Sequence, residues 1–423
     1  MYDLNDWLSK PPKYTTFRIN ILRQFEHENL KKFLLKQSKE LNCAENIPNF
    51  YLLRPDCLVI EQWPNDLKLE KGAKHVVVDA LCAAAVLRGA HVFAPGVMGV
   101  PSGSQKGDIV DIYGDITGQC KRGLKVGYDG KKQYVGTGIL KMTRNDLFEN
   151  GVQPSGIAVH TLLPASRLPV INETLYPKGA ILLQNLPSIV CGWVVNAQPN
   201  EVILDMCAAP GNKTTHLAEM SNNEAIIIAL DKTQQKVAAI KNNYENHGIT
   251  CINAYAFDST KCFSEKSNGI DLGPPFPSNS FDKILLDAPC SGLGQRPQLL
   301  NKMTPKMLQS YKFVQRKLLK SAVEVLKVGG KLTYSTCTVT EDENEGIVSW
   351  ALEMFPCLSL VSAEPLLGGP GLPNCGLTEQ QRAMVQRFNP TDDSLRIVDP
   401  IYKDTIGFFI AQFIKTNPLQ FSL

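Results

Sequence analysis

The sequence predicts a doubly wound α/β sheet that carries a smaller, β-rich module. Three observations predict it. From about Ala180 onward, apolar runs of strand length alternate with helical stretches. Five of those strand runs end in a polar or reactive residue, at the edge where open α/β sheets hold ligands. Between about Val76 and Pro164 the texture differs, with short strands separated by Gly-rich turns, as in a compact barrel.

The elements follow in order. After Trp7-Leu8-Ser9-Lys10-Pro11-Pro12, the stretch Thr15-Thr16-Phe17-Arg18-Ile19-Asn20 reads as a short strand. Leu30, Phe33, Leu34 and Leu41 share one face of a helix expected over about 28–41. In the β-rich module, Val76–Ala80, Gly107–Tyr113 and Tyr134–Ile139 supply strands. Val202–Asp205 is a strand, and a helix starts at Asn212. Ala225–Asp231 is the next strand, followed by a helix through Val237 and Ile240. Ile252–Phe257 ends at Asp258, and Phe281–Leu286 ends at Asp287. A long helix through Val314, Leu318, Leu319, Ala322, Val325 and Leu326 is expected to stop at Gly329-Gly330, with Lys331–Ser335 opening the next strand. The alternation runs on to Gly407–Phe413.

A chain of 423 residues is expected to hold two or three domains. At 43% hydrophobic and 20% charged it is an ordinary globular composition. The net charge of +3 is too small to argue nucleic-acid binding by itself, so any basic surface must be local. Twelve cysteines are scattered with no Cys-x-x-Cys pair, and the six histidines form no cluster, so no metal site is expected. The opening Met1–Asp6 lacks the basic and apolar regions of a signal peptide. No apolar stretch approaches the ~18 residues of a membrane span. The expected setting is the reducing cytoplasm, with free thiols and no membrane.

Two cysteines stand apart. Cys290 lies in Leu286-Asp287-Ala288-Pro289-Cys290-Ser291-Gly292, and Cys337 in Leu332-Thr333-Tyr334-Ser335-Thr336-Cys337-Thr338. Each follows a strand and sits among small turn-forming residues. If the strands are neighbours in a parallel sheet, both sulfurs emerge at its carboxyl edge. Two thiols there suit covalent catalysis, one as nucleophile and one as helper.

The first strand meets its helix through Asp205-Met206-Cys207-Ala208-Ala209-Pro210-Gly211-Asn212-Lys213-Thr214. Small residues before a helix N-terminus let backbone approach a ligand. The loop is neither G-x-G-x-x-G nor a Walker loop, which argues against a dinucleotide or an NTP. Asp231, twenty residues beyond Gly211, stands where an acid accepts hydrogen bonds from ribose hydroxyls. Asp258 is placed to meet an adenine amino group. Ribose and adenine without phosphate describe S-adenosylmethionine. The competing reading of Asp231 and Asp258 is that each caps a helix.

These blocks, in this order, resemble the NSun-type RNA cytosine-5 methyltransferases, from about Ala180 to Phe413. The module around Val86-Leu87-Arg88-Gly89-Ala90-His91-Val92-Phe93-Ala94-Pro95-Gly96 is similar to a PUA domain, an RNA-binding fold. The whole chain resembles the animal member of the family with an internal PUA domain, including Gly294-Gln295-Arg296-Pro297 and Asp404–Ile410. Pro11–Asn20 resembles the family's N-terminal RNA-binding extension. The resemblance therefore implies a Rossmann-like SAM-dependent methyltransferase with an inserted PUA-like domain. Its expected divisions are 1–75 (extension), 76–165 (PUA-like) and 166–423 (methyltransferase). Two positions depart from the family pattern. Asn212 replaces a second glycine, a change that left-handed backbone angles at Asn212 would accommodate, and Thr338 replaces a common serine.

The resemblance implies methylation of cytosine C5 in RNA, near the 3′ end of a tRNA acceptor stem, with the CCA tail held by the PUA-like domain. Some mRNA hairpins are implied as further substrates. The protein is expected to act as a monomer. By resemblance Cys337 is the attacking thiolate, Cys290 assists release, and Asp287 binds the cytosine N3/N4 edge. The residues alone leave the two thiols interchangeable, because in DNA cytosine methyltransferases the Pro-Cys residue attacks, which here would be Cys290. The cofactor set is Cys207, Ala208, Ala209, Pro210, Gly211, Asn212, Lys213, Asp231, Lys236, Asp258 and Asp287. Lys213 has several open readings: an RNA or cofactor contact, a partner for a carboxylate, or a solvated helix-start residue. RNA contacts are expected from Arg88, Gly89, Ala90, Lys121, Arg122 and Lys213, with Lys125, Lys131 and Lys132 adding to the local excess over Asp129. The alternatives are a DNA or small-molecule methyltransferase and a non-catalytic RNA-binding protein on a methyltransferase scaffold.

Overall fold

The strand–helix alternation beyond Ala180 builds an eight-stranded sheet. Its strands in chain order are β1 (Val202–Asp205), β2 (Ile226–Asp231), β3 (Ile252–Ala256), β4 (Phe281–Asp287), β5 (Leu326–Thr336), β6 (Leu358–Val361), β7 (Gln386–Phe388) and β8 (Phe408–Lys415). The helices that belong with it include α1 (Leu186–Val195), α2 (Asn212–Met220), α3 (Gln234–His247), α4 (Pro305–Val325) and α5 (Glu345–Met354). This is a computed structural model, and it describes residues 4–43, 46–65, 67, 69, 71–149, 153–171, 175–267, 269–270, 273–388 and 399–419. Met1–Asp3, read above for a leader, lie outside them.

The order across the sheet is β3-β2-β1-β4-β5-β8-β6, with β7 paired to β8. The pairings among β1 to β5 are parallel, and those of β8 are antiparallel. From β1 the chain winds out to β2 and β3, then returns to the other side of β1 at β4. That reversal opens a crevice at the carboxyl ends of β1 and β4. Strands covered on both faces should be apolar throughout. Ile203 and Leu204 of β1 and Ile284, Leu285 and Leu286 of β4 are fully buried. Leu318, Leu319 and Ala322 of α4 and Ile347 and Val348 of α5 pack into the same core.

The glycine pair after α4 departs from expectation. The helix ends at Val325, and β5 already begins at Leu326. Gly329-Gly330 lie inside β5, where pairing shifts from Phe281↔Leu326 to Lys283↔Lys331. Lys415 on β8 takes over the capping role, donating to the carbonyls of Val323 and Leu326 at 2.8 Å each.

The chain divides into two compact units. The larger comprises Phe17–Gln24, Lys178–Gln295 and Met303–Leu423, and the smaller Met1–Thr16, Phe25–Pro177 and Arg296–Lys302. The smaller holds a six-stranded sheet, in the order Val92–Phe93, Ile157–Pro164, Lys132–Leu140, Ile109–Asp115, Lys74–Val78, Val97–Gly99. The helix Ala80–Leu87, capped by Asp79, packs on it through Ala83, Val86 and Leu87. The helix His27–Glu40 buries Leu30 and Leu34 as its spacing predicts. Among the described residues, no helix is long and apolar enough to cross a membrane.

Candidate active site

Register brings the two cysteine loops together. Asp287 at the end of β4 pairs with Ser335 near the end of β5. Both chains leave the sheet at one level, and Cys290 and Cys337 meet with sulfurs 3.4 Å apart. The Gly294 N–H donates to the Cys337 carbonyl at 3.0 Å, and the Gly294 carbonyl accepts from Gly407 N–H at 2.8 Å. A side chain at Gly294 would run into the Gly407 and Cys337 carbonyls, so the Gly-Gln-Arg-Pro stretch needs its glycine for this close approach. The thiols are unequal. Hydrogen bonding from Cys290 lowers the Cys337 thiol below its ordinary range; burial opposes this, and Gln295 and Lys213 assist. The same contact, reinforced by burial, pushes Cys290 well up. This is the arrangement of one thiolate and one proton-bearing thiol.

Beside them, Lys213 Nζ donates to Asp287 Oδ2 at 2.7 Å, and Ser335 Oγ donates to Oδ1 at 2.6 Å. Burial works against the Lys213 charge, but the adjacent Asp287 holds its ammonium above the usual lysine range. Of the open readings for Lys213, the structure shows the carboxylate partner. Asp205 lies behind this pair, and burial, with Asp287 adding to it against the Thr214 hydrogen bond, raises its carboxyl to about 7.

The loop from β1 to α2 turns at Gly211, whose φ of 105° is left-handed. Asn212 is the first residue of α2 and is not left-handed, contrary to the accommodation expected for it. Its side chain instead accepts from Asn243 Nδ2 at 3.0 Å, and its carbonyl accepts from the buried Arg18 guanidinium. Asp231 accepts from Ala209 N–H at 3.1 Å and Lys232 N–H at 2.7 Å, with Lys236 Nζ 2.9 Å away. It caps no helix; Thr233 caps α3. Asp258 does cap, accepting from Thr260 through Oδ1. Its Oδ2 takes no hydrogen bond among the described residues and lies 3.9 Å from the exposed Lys232 ammonium, so capping leaves that oxygen open to a ligand donor. Burial, with Asp205 adding to it, pushes the Cys207 thiol well up, so it stays protonated in the turn. Ala208, Ala209 and Pro210 complete the turn. Strand-end carboxylates at a small-residue loop, with Lys213 engaged by Asp287, fit a ribose and adenine ligand without phosphate.

Several site residues escaped the sequence reading. Arg18, 1% exposed, donates to Gln184, Thr215 and Glu219 as well as Asn212, tying its strand to α2. Asn243 donates to the Pro210 carbonyl at 3.2 Å. Glu343 bridges the cysteine loops.

In the smaller unit, Arg88 ends its helix exposed; its backbone N–H donates to the Ala85 carbonyl at 3.0 Å, and its guanidinium has no hydrogen-bond or ion-pair partner among the described residues. Gly89 follows with φ 89°, then Ala90, whose carbonyl accepts from Thr161 Oγ1 at 3.0 Å. Lys121 is exposed. Arg122 is exposed too, but donates to the Pro95 carbonyl at 2.6 Å and lies over the Phe148 ring. Lys132 donates to the Tyr128 carbonyl at 2.7 Å and faces Tyr113.

Residues 193–414 match the family described as 16S rRNA methyltransferase RsmB/F, and residues 74–149 match the PUA domain. The chain is 43% identical to the mouse tRNA (cytosine(72)-C(5))-methyltransferase NSUN6, an alignment covering 96% of the chain and 88% of the relative. The chain belongs to the RsmB/F family of RNA cytosine-5 methyltransferases. The human NSUN6 enzyme is 40% identical, over 96% of this chain and 90% of its own. The crystal structure of NSun6 from Pyrococcus horikoshii with SFG, an S-adenosylmethionine analogue, superposes with a TM-score of 0.72 at 29% identity. That match covers 98% of this chain and 94% of the archaeal one. As an RsmB/F family member this chain is an enzyme that takes its methyl group from S-adenosylmethionine, and it carries a PUA domain.

Proposed function

We propose that this RsmB/F methyltransferase acts on a cytosine near the 3′ end of a tRNA acceptor stem, the position named for its NSUN6 relatives. We assign the CCA tail to the PUA domain and, within it, to Arg88, Gly89, Ala90, Lys121 and Arg122. The observation that carries the catalytic reading is the 3.4 Å contact between Cys290 and Cys337, which gives the site a thiolate beside a thiol.

The target base must leave its stack to reach such a pocket. Its exocyclic amino group then meets Asp287, whose carboxylate Lys213 and Ser335 hold in one direction. Cys337 adds to C6, and the new S–C6 bond turns the C5=C6 electron pair into nucleophilic density at C5. The Lys213 ammonium stabilises the negative charge that develops on the ring, and Asp287, by accepting from the exocyclic amino group, orients the base. Once Cys337 is bonded to C6, Cys290 no longer shares its proton with a thiolate; it gives that proton up to solvent, and the resulting thiolate is placed to take the C5 proton. The C5 electron pair then restores the double bond, and Cys337 leaves as thiolate. Asp231, Asp258 and the turn 207–212 would hold S-adenosylmethionine, which when bound supplies an electrophilic methyl group.

The test is labelled S-adenosylmethionine with unmodified tRNA transcripts, followed by bisulfite sequencing. Label is expected at an acceptor-stem cytosine, and to vanish when that cytosine is replaced. Label elsewhere in tRNA, or equal labelling of deoxy-oligonucleotides, overturns the assignment.

A further inference from the structure

Glu343 is fully buried, and no ion-pair partner stands beside it among the described residues. A carboxylate in that position must be satisfied by hydrogen bonds alone. It accepts four. Ser291 Oγ and Thr340 Oγ1 donate to Oε1 at 2.6 and 2.8 Å, and Ser291 N–H and Gln315 Nε2 donate to Oε2 at 2.9 and 3.1 Å. The donors come from different segments. Ser291 follows Cys290 directly, Thr340 lies three residues beyond Cys337, and Gln315 belongs to α4. Gln315 also donates to the Pro289 carbonyl at 3.0 Å, on the other side of Cys290. Ser291 Oγ lies 2.8 Å from Thr338 Oγ1, next to Cys337. The Glu343 carbonyl accepts from Tyr334 on β5 at 2.6 Å.

We infer that Glu343 is a positioning residue: its buried carboxylate ties the Cys290 loop to the Cys337 loop and sets the separation of the two sulfurs. It touches neither sulfur. Its neighbour shares the task, since Asn344 accepts from Thr336 Oγ1 at 2.5 Å and donates to the Thr338 carbonyl at 3.1 Å. The inference rests on the reading of the two cysteines as the catalytic pair, but its geometric consequence can be measured without RNA. The groups facing the Cys337 sulfur are Cys290, Gln295, Asp287 and Lys213. If the tie is cut, Cys290 is released from Cys337, and the thiolate loses its nearest donor.

The variants are Glu343→Met, which removes all four bonds at similar size, and Glu343→Gln. Glutamine keeps the two N–H contacts on its carbonyl oxygen, and the hydroxyls can turn to accept from its amide. Three readouts are taken on the full chain: the pH midpoint for alkylation of Cys337 by iodoacetamide, turnover with tRNA, and thermal melting. Glu343→Met is expected to move the midpoint to higher pH and lower kcat about 10- to 100-fold, with KM for S-adenosylmethionine near wild type. Glu343→Gln is expected to recover most of both losses. A folded Glu343→Met protein with the wild-type midpoint overturns the inference, as does a glutamine variant as impaired as methionine, since charge and not position would then be the cause. Should Glu343→Met fail to fold, Ser291→Ala and Thr340→Val decide by the same midpoint, which must shift upward in each. Wild-type protein without activity on tRNA would count against the proposed substrate and leave the midpoint test in force.

Discussion

Lys213 and Asp287 form a 2.7 Å ion pair between the start of α2 and the end of β4, with Lys213 13% and Asp287 31% exposed. The pair spans the sheet's topological reversal and stands beside the cysteine contact. Its ammonium also lies 5.3 Å from the centre of the Phe408 ring. A lysine clamped by carboxylate and aromatic ring is a fixed dipole, and fixed dipoles stabilise developing charge without reorganising.

Replacing Lys213 with methionine keeps the stem and removes the charge. Asp287 then loses its cation, and Cys337 loses one of the groups that favour thiolate. Turnover should fall on the order of 100-fold. Binding of S-adenosylmethionine, measured by calorimetry, should change much less. Loss of cofactor binding in step with turnover would place Lys213 in the cofactor site instead.

The two thiols separate under substitution. Cys337→Ala should abolish methylation and leave no adduct. Cys290→Ala should stall after methyl transfer and give a protein–RNA species that survives denaturing electrophoresis. Normal turnover by Cys290→Ala would reverse the roles assigned to the pair.

The sheet and its edge were legible because they depend on local pattern. Apolar runs ending in Asp205, Asp231, Asp287 and the residues before Cys337 place those groups at one edge once the strands are parallel. What escaped depends on contacts made across the chain. Glu343 sits in Thr340-Glu341-Asp342-Glu343-Asn344-Glu345, which reads as a solvated acidic turn; only packing against Ser291 and Gln315 shows it to be buried. Arg18 reads as one residue of a short strand, and its ion pair with Glu219 joins positions about half the chain apart. The glycine pair after α4 looked like a helix stop because Lys415, which caps the helix, lies far along the sequence.

Gly211 tests the cofactor turn. At φ 105° an L-residue is strained by roughly 1–3 kcal/mol. An added Cβ would also lie 3.3 Å from Asn243 Nδ2 and 3.4 Å from Ile240 Cα, tight but not impossible contacts. Gly211→Ala should therefore fold and bind S-adenosylmethionine about 10-fold more weakly. Asn243→Ala, which frees the Pro210 carbonyl and the Asn212 side chain, should weaken binding in the same direction. Wild-type affinity in both variants would remove the turn from the cofactor site.

Arg88 tests the RNA side. It is exposed, its guanidinium is unpaired among the described residues, and a glycine follows that lets backbone come close to a ligand. Arg122 already donates to the Pro95 carbonyl, so its removal disturbs the PUA domain itself. Arg88→Ala removes no such contact. It should weaken tRNA binding by about 1–3 kcal/mol if the guanidinium reads a base edge. If it contacts phosphate instead, the slope of affinity against salt should fall by about one. Filter binding across a salt series distinguishes the two, and calorimetry with S-adenosylmethionine should show unchanged affinity. Unchanged tRNA affinity at every salt concentration would exclude Arg88 from the interface, and equal loss of both ligands would report a folding defect.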